Sequence, residues 1–269
     1  MKVAAIQLCS SDSVELNLSQ VEKLVSEAAR NGASVAVLPE MFALIGVAPE
    51  KLIQIKEVLG HGKIQDFLSA LAMRNKIWLI AGTFPIQGET ENKIKASCLV
   101  FNSEGKQIAH YNKIHLFDVL VGESEHYQES ATTEAGKEVV VVDTPIGKVG
   151  LAVCYDLRFP ELFRRLVKQG AEIIAIPAAF TATTGAAHWE VLTRARAIEN
   201  LCYVVGACQE GRHANKRDTY GHSLVIDPWG RITTEATQTP SVIYADIDLE
   251  KQKQLRENFP VLKHQKLKT

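Results

Sequence analysis

Cys154 closes the short apolar run Val149–Val153, and Pro160 opens a helical pattern shortly after it. A thiol at such a strand-to-turn junction is fixed in space, beside backbone N–H groups that can receive a developing oxyanion. A nearby helix start predicts a lowered thiol pKa. Attack by sulfur on an unactivated amide also needs a base, which takes the thiol proton and passes it to the leaving amine, and a donor for the oxyanion. Glu40, just after the apolar run Val35–Leu38, is a carboxylate of the right kind, and Lys113, in a polar stretch, is a cation that can face the oxyanion. Glu40 as base, Lys113 as donor and Cys154 as nucleophile complete such a set without a histidine. Each residue taken alone has a plainer reading: a cap or loop carboxylate, a solvated loop cation, a buried structural cysteine.

The surrounding elements alternate between strand and helix patterns. Strands are expected at Val3–Leu8, Val35–Leu38, Ile77–Ala81, Ala96–Phe101 and Gln107–Tyr111. Between the first two, Leu18, Val21, Leu24, Val25 and Ala28 recur at helical spacing before Gly32, a helix-ending residue. A second helix is expected over Lys63–Asn75, and the stretch Asn112–Gly136 reads as a long polar loop of the kind that carries function. The second part predicts strands at Val139–Val142, Val149–Val153, Ile173–Ile176, Tyr203–Ala207, Ser223–Ile226 and Val242–Ala245. Helices are expected over Pro160–Gln169, from about Ala187 to Asn200, and from Leu249. Asn31–Phe42 aligns without gaps to Gln169–Phe180, repeating cap glycine, buried strand and proline, which implies two α/β halves of similar design. In that alignment Glu40 faces Ala178.

The 269 residues suit one large α/β domain over residues 1–262, followed by a short basic tail, 263–269, although a prior of roughly 150 residues per domain would suggest two. Thirty basic residues balance 31 acidic ones, which points away from nucleic acid and membrane surfaces as partners. No apolar run reaches the roughly 20 residues that span a bilayer, and no signal-peptide pattern opens the chain. The five scattered cysteines, without a CxxC, suggest a reducing, cytoplasmic setting with neither a disulfide framework nor a zinc site. Cys9, Cys98, Cys202 and Cys208 read as core residues. Without a Walker A loop, a GxGxxG or a His/Cys cluster, no cofactor or metal is expected.

Leu38-Pro-Glu40, Lys113-Ile-His115-Leu-Phe117 and Cys154-Tyr-Asp156-Leu-Arg158-Phe-Pro-Glu161 resemble the three signature blocks of the nitrilase, or carbon–nitrogen hydrolase, superfamily, in that order. The resemblance runs from Val3 to about Val261. It implies a four-layer α-β-β-α sandwich, a Glu-Lys-Cys triad and a homodimer or larger assembly. It also implies a second glutamate before the nucleophile strand, a position matched by Glu129 in Tyr127-Gln-Glu129-Ser130, which would orient Lys113 or assist proton transfer.

The stretch Phe180–Glu199 is similar to a branch acting on small ω-amides of 2-oxo acids, which includes omega-amidases and deaminated glutathione amidases, and Glu210–Ser223 is closer to the latter. The implied reaction cleaves glutathione whose glutamyl amine has become a ketone into 2-oxoglutarate and cysteinylglycine, through a cysteine thioester. The alternatives are hydrolysis of 2-oxoglutaramate with loss of ammonia and a non-catalytic scaffold that keeps the fold; a nitrile hydrolase fits less well. Arg158, with its bidentate fork, is the expected grip for a substrate carboxylate. Tyr155, beside the nucleophile, is a further substrate-binding candidate, and Phe180 and Thr184 would supply an apolar wall and a hydroxyl. His213, Lys216 and Arg217 could form an anion site for a departing dipeptide, or simply a basic loop. Trp189 and Ile198 read as core, and Arg194 and Glu199 as helix-surface or subunit contacts. The loop Asp118–His126 is more acidic than the family pattern leads one to expect.

Overall fold

The computed structural model describes residues 1–121 and 125–267. Among the described residues seventeen strands occur in chain order: β1 (Lys2–Gln7), β2 (Val35–Val37), β3 (Trp78–Ile80), β4 (Phe84–Gln87), β5 (Ile94–Phe101), β6 (Gln107–Asn112), β7 (Asp118–Val121), β8 (Glu125–Gln128), β9 (Val141–Thr144), β10 (Gly147–Leu151), β11 (Ile173–Ala178), β12 (Tyr203–Cys208), β13 (Glu210–Arg212), β14 (Asp218–Tyr220), β15 (Leu224–Ile226), β16 (Ile232–Glu235) and β17 (Ser241–Asp246). Six helices accompany them: α1 (Val14–Arg30), α2 (Pro49–Gln54), α3 (Lys63–Asn75), α4 (Pro160–Lys168), α5 (Ala182–Asn200) and α6 (Leu249–Asn258).

Two sheets carry the architecture. One runs β17-β1-β2-β3-β5-β4, with β6 also on β5, and the other β16-β15-β12-β11-β10-β9. In each, three parallel strands are flanked by antiparallel ones: β1, β2 and β3 between β17 and β5, and β10, β11 and β12 between β9 and β15. The repeated segments therefore form the middle parallel strand of each sheet. Strand periodicity explains the layering: Val3 and Ala5 join the large apolar cluster that includes the second sheet, while Ala4 and Ile6 pack with the α1 and α3 residues Val21, Leu24, Leu68 and Leu71. The helix α1 starts where the Ser13 hydroxyl accepts the Leu16 N–H, and Gly32, at φ +82°, takes the left-handed turn that ends it.

Several expectations are corrected. The stretch Asn112–Gly136 contains the two-stranded ribbon β7–β8 and a single 3₁₀ turn, Glu129–Ala131. The acidic residue Glu123 lies outside the described residues, as do Lys268 and Thr269 of the basic tail. The helix α5 begins at Ala182 rather than near Ala187, because the Thr181 hydroxyl accepts the Thr184 N–H and caps it. Trp189 is buried, but Ile198 on the same helix is exposed, over Gly230. Cys98, Cys202 and Cys208 are buried, whereas Cys9 is only partly so. Arg194 pairs with Glu190, and Glu199 with Arg196 and Arg164.

Candidate active site

Glu40, Lys113, Glu129 and Cys154 come together in one cavity of about 350 Å³, which Tyr155, Arg158, Phe180, Thr184 and Arg217 also line. Glu40 sits three residues past β2, on a turn in which Met41 takes φ +56°. That strain is held from several sides: the Met41 N–H donates to the Thr83 hydroxyl, and Gln209 Nε2 donates to the Glu40 carbonyl and to Ser10 Oγ. Gly82 closes against the same turn at φ +46°, where an added Cβ would lie 1.9 Å from the Pro39 carbonyl oxygen. A Gly82→Ala substitution is therefore expected to push Glu40 out of place, lowering turnover by about 10²-fold or more together with Tm; a fully active Gly82→Ala protein would contradict the need for that close approach.

Lys113 follows β6 and is almost fully buried. Its Nζ lies 2.8 Å from Glu40 Oε1 and 2.9 Å from Glu129 Oε2, and the latter oxygen also accepts the Phe117 N–H at 2.7 Å. Burial alone would pull the ammonium down, but the Glu129 and Glu40 carboxylates outweigh it and hold its pKa well above the usual lysine range. Lys113 is thus a fixed cation, and Glu129 anchors it by pinning ammonium and loop together.

Cys154 has φ +45° and opens the 3₁₀ turn Cys154–Arg158. A helix start would lower its thiol pKa; the structure gives the opposite direction. Burial raises it well above the ordinary value, the Glu40 carboxylate adds to this, and the Lys113 ammonium and the Ala179 N–H offset them only in part. The thiol therefore rests protonated and facing its candidate base.

Asp156, two residues past Cys154, has a task that its place in the sequence does not reveal. Fully buried, its carboxylate accepts the Val153 N–H (2.9 Å) and the Tyr111 hydroxyl (2.7 Å) on Oδ2, and the His115 N–H (3.0 Å) on Oδ1, 2.7 Å from His115 Nδ1. The His115 ring stacks on Phe159 at 3.7 Å. Asp156 thus ties the lysine loop to the nucleophile turn. The one signal for it in sequence was a carboxylate two residues past Cys154, next to the apolar run Val149–Val153.

Arg158 extends across the cavity, its two terminal nitrogens 3.2 and 3.3 Å from His188 Nδ1 and its guanidinium 5.5 Å from the Phe180 ring and 5.7 Å from that of Tyr155. It makes no ion pair with a carboxylate among the described residues. Thr184 keeps its hydroxyl 2.8 Å from that of Thr181. The expected basic trio separates. His213 is buried, with Nδ1 2.9 Å from the Ser10 carbonyl and Nε2 2.8 Å from the Thr219 hydroxyl, and burial lowers its pKa, so at neutral pH it is an uncharged structural ring. Lys216 sits at an exposed turn position with φ +67°, off the cavity. Only Arg217 reaches the cavity wall. Among the described residues no group of three or more His, Cys, Asp or Glu side chains is arranged to hold a metal, and no helix is long and apolar enough to cross a membrane.

Residues 2–257, which carry this cavity and both sheets, match the carbon–nitrogen hydrolase family. The chain belongs to it and is a hydrolase of carbon–nitrogen bonds other than peptide bonds. It is 44% identical to the deaminated glutathione amidase of Homo sapiens over 98% of this chain and 82% of that one. It is 42% identical to the Synechocystis sp. protein of the same name, over 97% and 96% of the two chains. Among solved structures, the NitFhit protein of C. elegans superposes with a TM-score of 0.92 at 38% identity, covering 98% of this chain and 65% of that longer one.

Proposed function

We propose that this protein is a thiol amidase that hydrolyses deaminated glutathione to 2-oxoglutarate and cysteinylglycine. The observation that carries the chemistry is the Lys113 ammonium held between Glu40 and Glu129 in the cavity that Cys154 lines. In this reading Glu40 takes the proton from the Cys154 thiol as sulfur bonds to the amide carbon. The resulting oxyanion faces the Lys113 ammonium and nearby backbone N–H groups. Glu40 then gives its proton to the amine nitrogen, the carbon–nitrogen bond breaks, and cysteinylglycine leaves a 2-oxoglutaryl thioester. Water, deprotonated by Glu40, attacks the thioester; the carbon–sulfur bond breaks and the thiol regains its proton.

The substrate assignment rests on the names of the relatives and on Arg158, a guanidinium without a carboxylate partner among the described residues, which suits the carboxylate of the 2-oxoacyl group. Arg158→Lys keeps the charge and loses the fork, so kcat/KM on 2-oxo acid amides is expected to fall about tenfold or more; an unchanged value would remove Arg158 from carboxylate recognition. The function is tested by measuring 2-oxoglutarate release from deaminated glutathione and from 2-oxoglutaramate side by side. A preference for the former supports the reading, and a preference for the latter would make the protein an omega-amidase.

Residues 1–262 are taken as one catalytic unit in a reducing, cytoplasmic compartment, which suits five free cysteines. Exposed Val191 and Ile198 on α5, with the exposed Trp229–Phe259 ring pair, support self-association as a homodimer or larger assembly. Sedimentation at a monomer's mass would count against that.

A further inference from the structure

We propose that Arg217 is a second carboxylate site in the cavity, holding the terminal carboxylate of the departing amine, so that the enzyme selects amides with an anion on each side of the scissile bond. The inference rests on the substrate reading above and names the residue that separates a dipeptide leaving group from ammonia.

Arg217 lies on the turn between β13 and β14 and is fixed there before any ligand arrives. Its backbone carbonyl accepts the His213 N–H, its N–H donates to Asn215 Oδ1, and the buried His213 ring fastens the turn to Ser10 and Thr219. The guanidinium is directed by one Nη2 donation to the Ala179 carbonyl and by the Tyr127 ring, 5.3 Å from its centre. Its Nε is buried with no hydrogen-bond partner, and no carboxylate pairs with it among the described residues. The Nε is closed off by the protein itself, so an incoming carboxylate would meet the terminal nitrogens, of which only Nη2 is engaged among the described residues. By contrast, Arg196 and Arg164 share Glu199, and Arg194 holds Glu190.

The charges lining the cavity point the same way. Lys113 is balanced by Glu40 and Glu129, whereas Arg158 and Arg217 both face the cavity without a carboxylate. One substrate carboxylate answers Arg158; a second guanidinium calls for a second anion. Arg217 also stands close to the reacting centre: it bonds the carbonyl of Ala179, whose N–H faces the Cys154 sulfur. A dipeptide reaches about 7 Å from its amide nitrogen to its terminal carboxylate, at roughly 3.3–3.6 Å per residue. That reach spans Ala179, the residue whose N–H meets the thiol and whose carbonyl meets Arg217. A preset guanidinium there gains a bidentate partner with little loss of freedom.

The test is Arg217→Gln assayed on deaminated glutathione and on its analogue with the glycyl carboxylate converted to a carboxamide. The variant is expected to lose at least about tenfold more kcat/KM on the acid than on the carboxamide, chiefly through KM. Wild type is expected to prefer the acid by a similar factor. Equal losses on both substrates, or a wild type indifferent to the carboxylate, would overturn the assignment of Arg217 while leaving the amidase intact. A wild type that turns over 2-oxoglutaramate but not deaminated glutathione would overturn the substrate reading as well. Arg217→Lys, with charge but no fork, is expected to fall between, and an unchanged Cys154 alkylation rate would separate lost binding from lost folding.

Discussion

Cys154→Ala is expected to abolish amide hydrolysis, by about 10⁴-fold or more, while melting close to wild type, because the change removes one sulfur at a turn that Asp156 continues to hold. Substantial residual turnover would rule out the thioester route. Glu40→Gln makes a sharper companion. Turnover should fall by about 10²–10⁴-fold as the base is lost. The thiol, however, should become easier to ionise, since burial is unchanged, the Glu40 charge that raises its pKa is gone, and Lys113 still lowers it. In wild type the alkylation rate with iodoacetamide is therefore expected to climb with pH through 9 without a plateau at neutral pH, and in Glu40→Gln the curve should move toward lower pH. Alkylation that slows in parallel with turnover would show that Glu40 activates the resting thiol, against the sign argued here.

Asp156→Asn is expected to cost about 1–3 kcal/mol of stability for each donor left without an acceptor and more than about 10²-fold in turnover. The carboxylate has four hydrogen-bond partners, two on each oxygen, and the amide brings N–H groups of its own, so either the Val153 N–H and the Tyr111 hydroxyl or the His115 N–H must lose an acceptor. Tyr111→Phe, which removes one donor and leaves the carboxylate with three, should cost only about 1 kcal/mol. Comparable melting temperatures for the two variants would show that Asp156 is not the tie between the lysine loop and the nucleophile turn.

Apolar periodicity was enough to read the long elements: α3 occupies Lys63–Asn75 and α6 begins at Leu249, as the spacing predicts. The β-strands not legible in the sequence, β4, β7, β8, β13, β14 and β16, have three or four residues, too few to show a period against their loops. Glu40, Lys113 and Cys154 were legible as a candidate set because a nucleophile needs a base and a charge donor, the resemblance supplied Glu129, and the structure brings all four to one cavity. The direction of the thiol pKa was not legible, since burial and the Glu40 charge are set by the packing of two sheets and outweigh a local helix start. The same holds for His213, whose partners Ser10 and Thr219 lie in separate segments.

The near-twofold repeat of the sheets carries a consequence for stoichiometry. By strand register Val3 answers Val149, because each pairs with the matching residue of its middle strand, Val35 or Ile173. Counting on from that pair, Leu8 occupies the place of Cys154, and the repeat puts Ala178 in the place of Glu40. Both are fully buried. One half thus holds the carboxylate without a thiol and the other the thiol without a carboxylate, so the twin position is sealed with hydrocarbon. Duplicated architecture here yields a single reactive centre, and burst titration should find one acylated thiol per chain rather than two.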